Sequence, residues 1–204
     1  MTIVRVAREQ DRDRIVELID TSFFHLDANR WLVPEVGQRS AIMRGYFAIH
    51  VAHALSHGAS AQVALDDTSS AIVGVALWYA SDDPGPADYD RRVASVVGEP
   101  RLQRFLEFDE LLHHHTPATA HDYLGFLAVA PEYQARGIGG RLLREHHRRL
   151  DHQARPAYLV ASNQHSARLY ARHGYQPLPG ARYELRLPAG GSMYRMWRTP
   201  PSTN

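Results

Sequence analysis

The chain contains no cysteine and no lysine. Without cysteine there is no disulfide, no thiolate nucleophile, no Cys-ligated zinc and no thioether-linked lipid. Because all 23 basic residues are arginine, no lysine base, Schiff-base nucleophile or Walker-type phosphate loop can form, which excludes P-loop kinases and ATPases. Long apolar runs are missing too. The longest near-apolar stretch, Ala71 to Ala80, falls far short of the about 20 residues that span a bilayer. The amino terminus carries Arg5, Arg8 and Glu9 where a signal peptide needs an apolar stretch. A soluble, cytoplasmic protein without a membrane partner is expected. Nor does either charge dominate: 23 basic against 22 acidic residues give a net +1, which disfavours nucleic acid as a partner. What remains is ordinary globular composition. With 204 residues, 44% hydrophobic and 22% charged, the chain fits one domain spanning residues 1–204, with one sizeable core.

Hydropathy patterning gives the order of elements. Ile3 to Ala7 reads as a strand, and Asp11 to Phe23 sets Ile15, Val16, Leu18, Ile19 and Phe23 at helical spacing behind acidic starters. A second helix over Gln38 to Ser56 ends near His57-Gly58. Ala61 to Leu65 and Ile72 to Tyr79 form a hairpin across a polar turn. Residues 81–121 open with Ser-Asp-Asp-Pro-Gly-Pro and hold two helical stretches, Asp88 to Val97 and Arg101 to His113, which mark an inserted helical segment. Strand Tyr123 to Val129, helix Gly139 to Gln153, strand Ala157 to Ala161 and helix Gln164 to His173 follow. Tyr183 to Leu187 and Met193 to Arg198 complete a terminal hairpin. This is a layered α/β domain without internal repeat.

The chemistry sits where the central strand runs into the helix after it: Leu127, Ala128, Val129, Ala130, Pro131, Glu132, Tyr133, Gln134, Ala135, Arg136, Gly137, Ile138, Gly139, Gly140, Arg141, Leu142. Glycines at 137, 139 and 140 let backbone N–H groups wrap an anion, and the helix dipole adds about half a positive charge. Residue 142 is leucine, so the dinucleotide pattern G-x-G-x-x-G fails. The glycines alone favour the plainer reading, a strand-to-helix turn that packs closely.

Gln134-x-x-Gly137-x-Gly139 after Leu-Ala-Val-x-Pro resembles the sequence with which GCN5-related N-acetyltransferases (GNAT) bind the pyrophosphate of acetyl-CoA. Downstream, Tyr158-Leu-Val-Ala-Ser-Asn163-x-x-Ser166-Ala167-x-Leu169-Tyr170-x-x-x-Gly174-Tyr175 resembles the second motif of that family. The resemblance covers Ile3 to Arg198 and is weakest at 81–121. That insert and the ending Leu187-Pro-x-Gly-x-x-x-Tyr-x-Met look most like the puromycin N-acetyltransferase branch. The resemblance implies the GNAT fold, with a central mixed, mostly antiparallel sheet of about seven strands, splayed at the middle and flanked by helices. It implies acetyl-CoA as co-substrate, no metal, a small-molecule amine as acceptor (an antibiotic or related metabolite), and a monomer or homodimer.

It also implies roles. Leu127, Ala128 and Val129 pair main-chain groups with pantetheine, and an amide near Leu127 polarises the thioester carbonyl. The amides of Gln134, Ala135, Arg136, Gly137, Ile138, Gly139, Gly140 and Arg141 take the diphosphate, and Arg136 or Arg141 faces phosphate oxygens or lies on the solvated helix face. Asn163 meets pantetheine, caps the next helix, or does both. Tyr170, two helical turns on, is the expected general acid, since a phenol of pKa about 10 can protonate a leaving thiolate whose acid lies near 8.5. The general base stays open among His121, Asp122, Asp109, Glu110, His25 and Asp27. The acceptor site is expected from Phe23, Phe24, His25, Leu26, Trp31, Trp78, Tyr79, Phe105, Phe108 and Tyr183, which would suit an aromatic amine. His113, His114 and His115 fan around more than half a helical turn and cannot all face one ion, so a solvated cluster is expected. With no cysteine, direct attack in a ternary complex is expected. Another acyl-CoA as donor, a protein acceptor, or a non-catalytic acyl-CoA sensor remain alternatives.

Overall fold

The computed structural model describes residues 2–56 and 61–201; the expected helix end at His57-Gly58 lies outside them. Strand β1 (Ile3–Val6) is followed by a 3-10 turn and helix α1 (Arg12–Phe23). Asp11 fixes that junction. Its carboxylate accepts from the Arg8 N–H at 2.7 Å and from the Arg5 guanidinium at 2.6 and 2.9 Å, and Arg5 holds it below the usual aspartate range. A short helix α2 (Asp27–Leu32) and the long α3 (Val36–Ser56) come next. The hairpin β2 (Ala61–Leu65) and β3 (Ile72–Ala80) leads into the insert, helices α4 (Tyr89–Val97) and α5 (Glu99–His114). Gly98 at φ +76° links these two, a left-handed turn that glycine takes without strain. The insert packs on α3: a Cβ on Gly45 would sit 2.5 Å from Val96.

The remaining elements are β4 (Asp122–Val129), α6 (Ile138–His152), β5 (Ala157–Ala161), α7 (Gln164–Ala171), β6 (Gln176–Pro177), β7 (Glu184–Arg186) and β8 (Ser192–Arg198). All eight strands form one sheet in the order β1-β2-β3-β4-β5-β8-β6, with β7 sharing the outer edge of β8. Among the described residues only β4 and β5 pair in parallel. The eighth strand is the two-residue β6, too short to leave a periodicity, and α2 was likewise absent from the sequence reading.

Strand alternation sends side chains to two cores. On one face Val75, Leu77 and Ala128 pack against Ile15, Ile19, Met43 and Phe47 of α1 and α3. On the other, Ala76, Trp78, Leu124 and Leu159 pack against Leu142, Leu143 and Tyr170 of α6 and α7. Gly74 lets α6 approach, since a Cβ there would meet Ile138 at 2.9 Å. Among the described residues no helix is long and apolar enough to cross a membrane.

Candidate active site

The parallel pairing of β4 with β5 stops at Leu124 opposite Leu159, whereas β4 stays paired with β3 as far as Val129. Beyond Leu124 the two strands part, and one edge of β4 is left without a strand partner. Ala130 donates to the Val73 carbonyl at 2.9 Å, so by antiparallel alternation Ala128 and Phe126 also turn their main-chain groups to β3. Leu127 and Val129 turn theirs to the opening. The Val129 carbonyl accepts from the Ser22 hydroxyl and from Gln134 Nε2, both at 3.1 Å. This leaves the N–H and C=O of Leu127 as the free pair at the centre of the wedge. Ala128, expected to contribute main-chain contacts there, lends them to the sheet.

A bulge sets this edge. The register shifts between Leu77 opposite Phe126 and Trp78 opposite Leu124, leaving Gly125 as the extra residue. Leu124 and Leu127, an odd number of residues apart, therefore face the same core. Position 125 has to be glycine: a Cβ would lie 2.7 Å from the Tyr79 ring.

Past Pro131 the chain makes a 3-10 turn and then two left-handed residues, Ala135 at φ +59° and Gly137 at φ +78°. Gly137 is the N-cap of α6 and supplies no side-chain cap; the helix begins with Arg141 donating to its carbonyl at 3.0 Å. The first-turn donors of Ile138, Gly139 and Gly140 are thus left for a ligand, at the positive end of the helix dipole. A Cβ on Gly139 would be 3.7 Å from Leu127 and 3.8 Å from Val129, which places this end of α6 over the wedge. Gly140 is needed for packing, because a Cβ would meet His173 Nε2 at 2.6 Å. Arg136 is exposed with its guanidinium 5.0 Å above the Tyr133 ring. Arg136, Arg141, Arg144 and Arg148 border a groove of about 1200 Å³ along α6. The first three enter no salt bridge among the described residues.

Asn163 caps α7. Its Oδ1 accepts from the Ser166 N–H at 2.9 Å, and its own N–H donates to Ser166 Oγ at 3.2 Å. Tyr170 follows two turns later, 8% exposed and edge-on to Tyr175 at 5.8 Å between ring centres. Burial raises its phenol above the usual tyrosine value. Its hydroxyl has no hydrogen-bond partner among the described residues.

On the α1/α3 face lies a cavity of about 470 Å³, reaching from the insert to Gly125 and Phe126 of β4 and to Val160 and Ser162 of β5. Of the residues expected at the acceptor site, Phe23, Leu26, Tyr79 and Phe108 line this cavity; so do Tyr46, Phe47, His50, Tyr89 and Phe126, which the sequence reading does not single out. The other expected acceptor residues lie elsewhere. Trp78 alternates to the opposite face and stacks on His146 at 3.9 Å. Phe105 is fully buried behind Tyr46. Trp31 packs on the far side of Phe108, Phe24 lies under Arg39, and Tyr183 pairs with Tyr194.

The base candidates separate just as clearly. His25, Asp27 and Glu110 are exposed and off the cavity. Asp122 is buried in an ion network, accepting from His146 at 2.9 Å, Arg149 at 2.9 Å and Arg155 at 2.5 Å. Burial pushes its carboxyl up, but His146 and Arg155 outweigh burial and hold it below the usual range; it anchors the parallel strand pair. Asp109 lines the cavity and accepts from the phenols of Tyr46 at 3.1 Å and Tyr89 at 2.7 Å. His121, also in the wall, donates from Nδ1 to the Thr119 carbonyl at 2.6 Å. Its Nε2 is therefore a lone-pair acceptor, and it is buried with no partner. Burial lowers the pKa of this imidazole. His113 and His114 are exposed, and among the described residues no three His, Asp or Glu side chains are grouped to hold a metal ion.

Comparison with known proteins fits this geometry. Residues 77–177, which contain the wedge, the glycine loop, α6 and α7, match the model of the acetyltransferase (GNAT) domain. No curated protein matches the chain in sequence. Among solved structures, one described as histone acetyltransferase HPA2 and related acetyltransferase, from Corynebacterium glutamicum, is 25% identical with a TM-score of 0.73, covering 100% of this chain and 98% of that one. Arylalkylamine N-acetyltransferase 2 of Aedes aegypti shares the fold at 12% identity and a TM-score of 0.67, over 97% and 98% of the two chains. An agmatine N-acetyltransferase shares it at 19% identity and a TM-score of 0.58, over 97% and 99%.

Proposed function

We propose that this chain, an N-acetyltransferase that carries a GNAT domain, moves the acetyl group of acetyl-CoA to the amine of a small aromatic molecule by direct attack in a ternary complex. One observation carries the reading. The free edge of β4 at Leu127 and the aromatic cavity at Gly125 and Phe126 adjoin on one strand, so an acyl donor held at the first meets an acceptor held in the second.

Acetyl-CoA supplies the acyl group as a reactive thioester. The uncapped donors at Gly137, Ile138, Gly139 and Gly140, with those of the left-handed turn at Ala135, suit its diphosphate; Arg136 and Arg141 add positive charge beside them. The Leu127 main-chain pair, with the Val129 N–H beside it, aligns the pantetheine arm, the Val129 carbonyl being held by Ser22 and Gln134. The Leu127 N–H donates to the carbonyl oxygen as negative charge develops there. As the C–N bond forms and the C–S bond breaks, the Tyr170 hydroxyl gives its proton to the leaving sulfur, and burial keeps that phenol protonated until then. Of the six base candidates, His121 fits best the removal of the amine proton, because the residue lines the cavity and its Nε2, a lone-pair acceptor, is buried without a hydrogen-bond partner among the described residues.

The helical insert gives this cavity Tyr89, Phe108 and Asp109, which favours a compact amine, an antibiotic or related metabolite as in the puromycin N-acetyltransferase branch, over a protein acceptor. The chain acts as one domain, since a single sheet joins Ile3 to Arg198, and its place of action is the cytoplasm, as a monomer or homodimer. Thiol release from acetyl-CoA against a panel of amine antibiotics, aralkylamines, polyamines and peptides tests the reading, beside calorimetric titration with CoA. Release with one small-amine class is expected. Release with peptides alone, or CoA binding with no turnover on any amine, would move the reading to a protein-directed enzyme or to a sensor, and another acyl-CoA in place of acetyl-CoA would correct the donor.

A further inference from the structure

The cavity holds two carboxylates, Asp83 and Asp109, and, among the described residues, no arginine, in a chain with 23 of them. Asp83 is accounted for: it pairs with His53 Nε2 at 2.5 Å and accepts from the Gly85 N–H at 2.7 Å. Asp109 is different. Among the described residues its only hydrogen-bond partners are two neutral phenols from two other helices, Tyr46 on α3 and Tyr89 on α4, and the phenols themselves stand 3.4 Å apart. It enters no salt bridge among the described residues. Phe108 and His50 line the cavity with them. A carboxylate in the wall of an aromatic-rich cavity, with both oxygens fixed by neutral donors and π-faces beside it, has the composition of a seat for a compact organic cation.

The reacting amine has to be neutral when it attacks, so a cation that keeps its charge on Asp109 during transfer is a different group. We propose that Asp109, held by Tyr46 and Tyr89, binds a second cationic group of the acceptor, so that the substrate class is an aromatic diamine or amino-guanidine with one basic group at the β4 bulge and the other at the insert. This rests on the reading that the cavity receives the acceptor. It also moves Asp109 from the base candidates to the residues that set specificity.

Three compounds of one shape test it on the wild-type protein: p-xylylenediamine, 4-(hydroxymethyl)benzylamine and benzylamine. Calorimetry on the CoA-loaded protein and KM in the thiol-release assay should both favour the diamine by about tenfold to a hundredfold, the range for a charged hydrogen bond. In Asp109→Asn, checked for folding by its thermal transition, that preference should vanish through KM, with kcat at saturation much less affected. Equal affinity for the three compounds in the wild type overturns the seat without needing any variant to fold. A preference that survives Asp109→Asn, or a collapse of kcat that is the same for the diamine and benzylamine, overturns it as well, the latter because it marks a base. A binding preference without turnover supports the seat while the acetyl-transfer reading fails, and turnover without preference does the reverse.

Discussion

Two regions that border β4 have opposite electrostatic character. The groove that starts at the loop after β4 is bordered by Arg136, Arg141 and Arg144 beside uncapped helix donors, its two carboxylates, Glu145 and Asp151, being paired with Arg148 and Arg198. The cavity at the bulge within β4 has aromatic walls, two aspartates and no arginine among the described residues. The net charge of +1 conceals both. A balanced total therefore says little about ligands when the charge is segregated between two sites, one along α6 and one at the bulge of β4, with a polyanion favoured at the first and an amine at the second.

Removing the group proposed to act between the two sides is the harshest way to break this comparison. Tyr170→Phe keeps the ring and its packing against Tyr175 while deleting the hydroxyl. We expect kcat to fall by about a hundredfold to ten-thousandfold, the range for general acid catalysis, with CoA affinity by calorimetry nearly unchanged. The cavity side is probed next by His121→Gln, expected to lower kcat by about a hundredfold. A base works in its neutral form, so activity is lost as pH falls through the pKa of His121. Burial lowers that pKa from 6.5, which places the acid limb of the kcat/KM profile below 6.5, and the limb should move or disappear in the variant.

On the groove side, Gly137→Ala forces a side chain into a left-handed conformation at φ +78°, at a cost of roughly 1–2 kcal/mol. The KM for acetyl-CoA should rise by about tenfold while the KM for the amine stays. Smallest is Arg136→Ala, where an exposed guanidinium is lost. A change of about two- to fivefold in the KM for acetyl-CoA is expected, shrinking as salt is added, because exposed charges are screened. An Arg136 variant that altered the amine KM instead would blur the division between the two regions.

The groove side was legible in the sequence, and the cavity side much less so. Gly137, Gly139 and Gly140 follow an apolar strand directly, and the cap of Asn163 on Ser166 is local chemistry that spacing reveals. The cavity draws on α1, α2, α3, α4, α5, β3, β4, β5 and β8, and no local pattern records that convergence. Trp78 and Tyr79 are adjacent and equally aromatic, yet alternation sends one to the α6 core and the other to the cavity; only the register on β4 decides which. The bulge at Gly125 reverses the alternation of β4 midway and is equally invisible in the sequence. One available signal was missed. Tyr46, His50 and His53 recur at spacings of four and three along α3, a polar-aromatic stripe on a helix face that a plain core would fill with aliphatic residues.

The most direct test of the central claim, that donor and acceptor are held at once on either side of β4, is an initial-rate matrix with acetyl-CoA and an accepted aromatic amine both varied. Direct transfer in a ternary complex predicts thiol release that requires the amine and double-reciprocal lines that intersect. Parallel lines, or a burst of thiol before any amine is added, would mean that the acetyl group rests on the protein first and would contradict the account.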